Sequence, residues 1–150
     1  MAGPSESKLR RRARGKLVQA LYQYAVTGQS ATEIERQFIA TGLGEIDVAY
    51  FRELVYAVID AADELDARLS AYLDRPLVQL DPVERSILRL GAYELEQRLE
   101  VPYRVILDEA VELARRFGAD QSHRYINGVL DRYARELPRR SGERAIKRGT

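Results

Sequence analysis

Two clusters in this chain of 150 residues have residue types and spacings that could do chemistry, and both suit the holding of a nucleic acid. The first is K-L-R-R-R-A-R-G-K, residues 8–16, with six cations and no acid. Arginine supplies planar, bidentate donors that match phosphate oxygens, so Arg10, Arg11, Arg12 and Arg14 are candidate phosphate contacts. On the first turn of a helix they would oppose a macrodipole that favours anions there, and a local conflict of this kind marks function. The second cluster is S-H-R-Y-I-N-G, residues 122–128. His123, Arg124, Tyr125 and Asn127 give one turn a stacking ring, a cation and amide donors, which is how single-stranded RNA is read. Asn127-Gly128 has the composition of a hairpin turn. The apolar period nevertheless runs through it, from Ile126 to Val129, Leu130 and Tyr133, and predicts helix. A glycine inside a helix costs about 1 kcal/mol relative to alanine, so either a packed helix or a ligand should approach that backbone closely.

Catalysis is poorly supplied. His123 is the one histidine, and there is no cysteine for it to activate. No metalloprotease, P-loop or dinucleotide motif occurs. Asp108, Glu109 and Glu112 lie on one turn and could be drawn as a metal site. However, Glu112 stands three and four residues before Arg115 and Arg116, the arrangement of a salt-bridged helix face. The expectation is a protein with no catalytic step, no cofactor and no metal.

Charge divides the chain. The formal net charge is +1, but residues 8–16 carry +6 and residues 138–150 carry +4, with five basic residues and one acid. Residues 17–137 hold 13 basic and 21 acidic residues, a charge of −8. An acidic body between basic ends predicts one surface for polyanions and another for a basic partner. The alternative for the arginine run is a solvated, disordered leader, or an arm that makes the protein a helical adaptor for acidic partners. The absence of cysteine fits a cytoplasmic protein, no apolar run is long enough to span a membrane, and no secretory signal is present.

The elements that must position these clusters are helices. Ala13, Leu17, Ala20, Leu21 and Tyr24 line one face of a first helix that Gly28 closes, and Ser30 or Thr32 caps the next. T-G-L-G-E (41–45) is a loop, and Asp47 caps a long helical region continuing to Leu73. The chain breaks at Asp74-Arg75-Pro76. Asp81-Pro82 starts another helix with an N-cap acid and a proline at the first position. Val101-Pro102 opens a helix that ends at Gly118, and Asp120 or Ser122 caps the last, which Pro138 stops. The reading is an all-α domain of six to seven helices over residues 8–137, with residues 1–7 a disordered leader and 138–150 a basic disordered tail.

The block P-Y-R-V-I-L-D-E-A-V-E-L-A-R-R-F-G-A-D-Q-S-H-R-Y-I-N-G-V-L-D (102–131) closely resembles the NusB family of transcription antitermination factors. So do R-R-R-A-R (10–14), Q-A-L-Y (19–22), Y-F-R-E-L-V (50–55) and L-R-L-G-A-Y-E-L (88–95), in the same order and spacing. The resemblance implies two small helical bundles and RNA binding to the boxA element of nascent ribosomal RNA operon transcripts. It also implies a partner, the basic small-subunit ribosomal protein NusE, and a place in the elongating RNA polymerase antitermination complex. The family's RNA contacts map onto Arg10, Arg11, Arg12, Arg14, Ser122, His123, Arg124, Tyr125 and Asn127, with Tyr72 a further candidate. The NusE face maps onto the 81–97 helix through Glu84 and Arg89. Many members have an acid where this chain has Gln121 and phenylalanine where it has Tyr125, and Gly15 weakens the first helix.

Overall fold

Local signals in the sequence set most of the helix ends. In the computed structural model, which describes residues 3–143, Ser5 caps helix α1 (Glu6–Thr27) by accepting the Lys8 N–H, and Gly28 closes it at φ 71°. Ser30 caps α2 (Ala31–Thr41), and Asp47 caps α3 (Val48–Asp60) through the Tyr50 N–H. These three helices pack on one another in the first of two compact units, Met1–Ala61. Leu17, Leu21, Ile34, Phe51, Leu54 and Val58 are among its buried side chains.

The second unit, Ala62–Thr150, holds α4 (Ala62–Leu69), α5 (Pro82–Gln97), α6 (Tyr103–Phe117) and α7 (Ser122–Arg135). Short 3-10 turns cover Ser70–Tyr72, Leu77–Gln79 and Pro138–Arg140. Helices α5, α6 and α7 pack pairwise around Ile87, Leu88, Leu95, Ile106, Ile126 and Leu130, and α4 joins along α5. Asp81 caps α5 through the Val83 N–H, with Pro82 at the first position. All regular structure among the described residues is helical, in two small bundles.

Several expectations need correction. The long helical region expected from Asp47 to Leu73 is interrupted at Ala61 and gives way to a 3-10 turn at Ser70. The apolar residues on either side of Ala61 belong to different units, which a continuous stripe in the sequence cannot reveal. Neither Asp120 nor Ser122 caps α7. Gln121 holds that position in the left-handed region at φ 70° with no side-chain cap, because the tight turn from Ala119 requires a positive φ there. Among the described residues Gln121 is alone in this among non-glycines.

The two ends also differ from the leader and tail expected. Helix α1 begins at Glu6, so Arg10, Arg11 and Arg12 lie beyond the first turn and the predicted conflict with the helix dipole does not arise. At the other end Arg140 is 1% exposed. Its guanidinium donates to the carbonyls of Glu94, Leu95, Arg98 and Val101, at the end of α5 and in the turn that follows it. Glu143 pairs with Arg140 at 2.9 Å and accepts the Tyr103 N–H that opens α6. Ordered structure therefore continues past Pro138, and the basic residues 144–150 lie outside the described part.

Gly91 on α5 and Gly128 on α7 differ in surroundings. A Cβ on Gly91 would lie 2.6 Å from Leu130 Cδ1, whereas a Cβ on Gly128 meets no heavy atom within 4 Å. We expect Gly128→Ala to stabilise the fold by about 0.5–1 kcal/mol through helix propensity. Gly91→Ala should destabilise it, because overpacking costs about 1–3 kcal/mol against the same gain. Urea midpoints of the two variants check both signs.

Candidate nucleic-acid interface

The arginine run is less uniform than its sequence. Arg11 is exposed on α1. Arg10 lies half-buried with its guanidinium 4.2 Å from the Tyr50 ring centroid and 3.8 Å from an Asp47 carboxylate oxygen. Arg12 donates to both the backbone carbonyl and the carboxylate of Glu45, at 3.2 Å each. Arg14 is 3% exposed and stacks toward Tyr50 at 5.7 Å. It is buried within the first unit, unlike the more exposed Arg11 and Arg12 expected beside it as phosphate contacts. The loop before α3 thus supplies Glu45 and Asp47 as carboxylate partners, and its Asp47 N–H is fixed to the Leu9 carbonyl.

In the second unit, α7 presents the 122–128 cluster. Arg124, Asn127 and Gly128 are exposed, and His123 and Tyr125 are half-buried. Ser122 is buried instead, packed toward Gly118 in the turn that starts the helix. The close approach expected at Gly128 is not made by any packed helix, and its backbone lies open. Tyr125 Oη donates to Asp74 Oδ1 at 3.0 Å, and burial pushes its phenol pKa up, which keeps it a donor. Tyr72 packs edge-on against Tyr133 with ring centroids 5.4 Å apart, and Arg132 lies over its face at 5.5 Å. The segment Tyr72–Arg75 therefore runs along α7 from Tyr133 to Tyr125, and Tyr72 packs against the helix that carries the predicted cluster. Sequence reasoning read Asp74-Arg75 only as a chain break, since their partner Tyr125 is 51 residues away.

The predicted partner helix is α5. Glu84 is half-buried near its start. Arg89, 7% exposed, forms a bidentate pair with Asp66 at 2.8 and 2.7 Å. The pair clamps α4 to α5. Two turns further, the buried Glu96 carboxylate accepts from the Tyr133 hydroxyl and from Arg68, tying α5 to α7 and α4. Glu112 pairs with Arg115 at 2.9 Å, the salt-bridged face its spacing predicts. No helix among the described residues is long and apolar enough to cross a membrane.

Comparison with known proteins places this geometry. The family model described as NusB matches residues 11–135. The transcription antitermination protein NusB of Halorhodospira halophila is 73% identical, over 99% of this chain and 98% of that protein. Its counterpart in Alcanivorax borkumensis is 46% identical, over 91% and 92%. Among solved structures, T. maritima NusB matches with a TM-score of 0.76 at 31% identity, covering 95% of this chain and 99% of that one. A structure of antitermination factors NusB and NusE with dsRNA matches in fold, with a TM-score of 0.77 at 23% identity and coverage of 87% and 98%.

The two kinds of arginine on α1 separate in stability. Arg14→Ala removes a buried cation from its partners and should cost about 1–3 kcal/mol. Arg11→Ala on the exposed face should stay within about 0.5 kcal/mol of the parent. Denaturant titration followed by helical circular dichroism measures both.

Proposed function

The chain belongs to the NusB family, and from that footing we propose that it is an RNA-binding transcription antitermination factor. In this reading it binds boxA RNA of nascent ribosomal RNA operon transcripts together with NusE and joins the elongating RNA polymerase complex. It works in the cytoplasm without a catalytic step, metal or cofactor. The names of the relatives support antitermination, and the NusB–NusE structure with dsRNA supports the choice of partners.

The observation that carries the RNA reading is the exposed turn of α7. Arg124, Asn127 and the open backbone of Gly128 share this turn with Tyr125, and no group of the described residues comes within 4 Å of where a Gly128 Cβ would sit. Bases stack on aromatic rings and are read by adjacent amides, while phosphates go to arginines. Arg10, Arg11 and Arg12 supply the phosphate contacts, with Tyr72 a second ring and His123 a flanking donor. The acid excess of residues 17–137 suits the basic NusE, with Glu84 on α5 as its contact. A second reading, an adaptor for acidic proteins, draws on the carboxylates that Arg10 and Arg12 already hold. Titration of boxA RNA against a scrambled RNA, with and without NusE, separates the two, since an adaptor shows no base preference.

Tyr125→Ala should narrow the gap between boxA and scrambled RNA, by the about 1–3 kcal/mol that one stacked base contributes, with helicity unchanged. Equal loss on both RNAs would reduce the turn to general positioning. For the partner face, Glu84→Lys should slow association with NusE more than it changes dissociation, and the difference should shrink as salt rises. Stopped-flow mixing at two salt concentrations reads both rates. Unchanged rates would place NusE on another face.

A further inference from the structure

One cluster beside the α7 turn contains groups that the reading above leaves unused. Tyr125 Oη donates to Asp74 Oδ1 at 3.0 Å, and the Asp74 backbone N–H reaches the same phenol oxygen at 3.4 Å. The Asp74 carboxylate also takes the Arg75 guanidinium, Nε to Oδ1 at 2.9 Å and Nη2 to Oδ2 at 3.4 Å. The guanidinium carbon of Arg75 stands 5.4 Å from the Tyr125 ring centroid. One carboxylate therefore holds a phenol and a cation at once, and holds the cation against the ring.

This cluster faces solvent. The side chains of Arg75 and Asp74 are 47% and 61% exposed. Arg75 first, and the Tyr125 hydroxyl second, hold the Asp74 carboxyl below its usual range, so it is charged at neutral pH. An exposed ion pair of this kind is weak and screened by salt. A phosphate offers the guanidinium the same bidentate geometry with more charge. A nucleotide base stacking on Tyr125 would also need ring surface that Arg75 now adjoins. The phenol hydroxyl is what ties the ring to Asp74, and a phenylalanine at this position could not make that contact.

We infer that Arg75 is a further RNA contact of this site and that Asp74 is its built-in competitor. In the free protein Asp74 keeps Arg75 beside the Tyr125 ring. When RNA binds, a base takes the ring and its phosphate draws the guanidinium from the carboxylate, while Asp74 stays on the phenol and fixes the ring plane. Asp74 is thus a positioning residue that also sets the threshold for RNA. The inference rests on the RNA-binding reading of α7.

The test is a four-member cycle in the full chain with NusE present: parent, Asp74→Asn, Arg75→Gln and the double variant. Each is titrated with boxA and scrambled RNA at several salt concentrations. Asparagine keeps an acceptor for Tyr125 and removes the charge that restrains Arg75. Asp74→Asn should tighten boxA binding about two- to fivefold, the range an exposed ion pair accounts for. Arg75→Gln should weaken it and reduce the log–log salt slope by about 0.7. The double variant should bind no tighter than Arg75→Gln alone. An equal gain from Asp74→Asn with and without Arg75 would make Asp74 a general repulsive charge and overturn the competitor role. An unchanged slope in Arg75→Gln would overturn the contact. If instead the parent binds boxA no better than scrambled RNA, the RNA reading itself falls, and this inference with it.

Discussion

The close crossing of α5 and α7 is the constraint on which the functional surface of the second unit depends. Position 91 has no side chain at this crossing, and a Cβ there would meet Leu130 Cδ1 at 2.6 Å. Further along α5, Glu96 is buried and still satisfied, by the Tyr133 hydroxyl and by Arg68. A buried carboxylate is stable only when paired and hydrogen-bonded, so this network fixes α7 along its axis as well as against α5. Tyr133 in turn seats Tyr72 edge-on, and the segment that follows delivers Asp74 to Tyr125. The exposed turn of α7 is therefore presented by a rigid frame, as a surface that stacks bases needs to be.

The first unit handles charge in a different way. Six cations in nine residues would repel one another on a bare helix. The fold disperses them by burying Arg14, placing Arg10 over Tyr50, and giving Arg10 and Arg12 carboxylates from the loop before α3. Exposed pairs of this kind contribute little to stability, and they exchange easily for phosphate oxygens. The same logic recurs in the second unit at Asp74 and Arg75. At these solvent-facing sites, acids hold arginines in place without binding them strongly.

Much of this was legible in the sequence, for reasons that are local. Asp47, Asp81-Pro82, Gly28 and Gly118 carry their own stop or start chemistry, and the structure places helix ends at each. The α7 turn was visible because its apolar period ran through Asn127-Gly128 without a break. Burial of charged residues was not visible. Arg14, Arg89 and Arg140 are of types that normally face water, and what buries them is a ring, a carboxylate or a set of carbonyls brought from far along the chain. The break at Ala61 was hidden by a stripe that serves two cores in succession. The Asp74–Tyr125 contact joins residues 51 positions apart, and no periodicity encodes it.

The central claim is that RNA bases are read on the exposed turn of α7. Ultraviolet crosslinking of boxA RNA to the complex with NusE, followed by peptide mapping, tests this most directly. The account predicts base-linked adducts on Tyr125 or Tyr72, with phosphate-side protection at the arginines of α1. Base adducts confined to α5 or α6, with Tyr125 and Tyr72 unmodified in bound complexes, would contradict it.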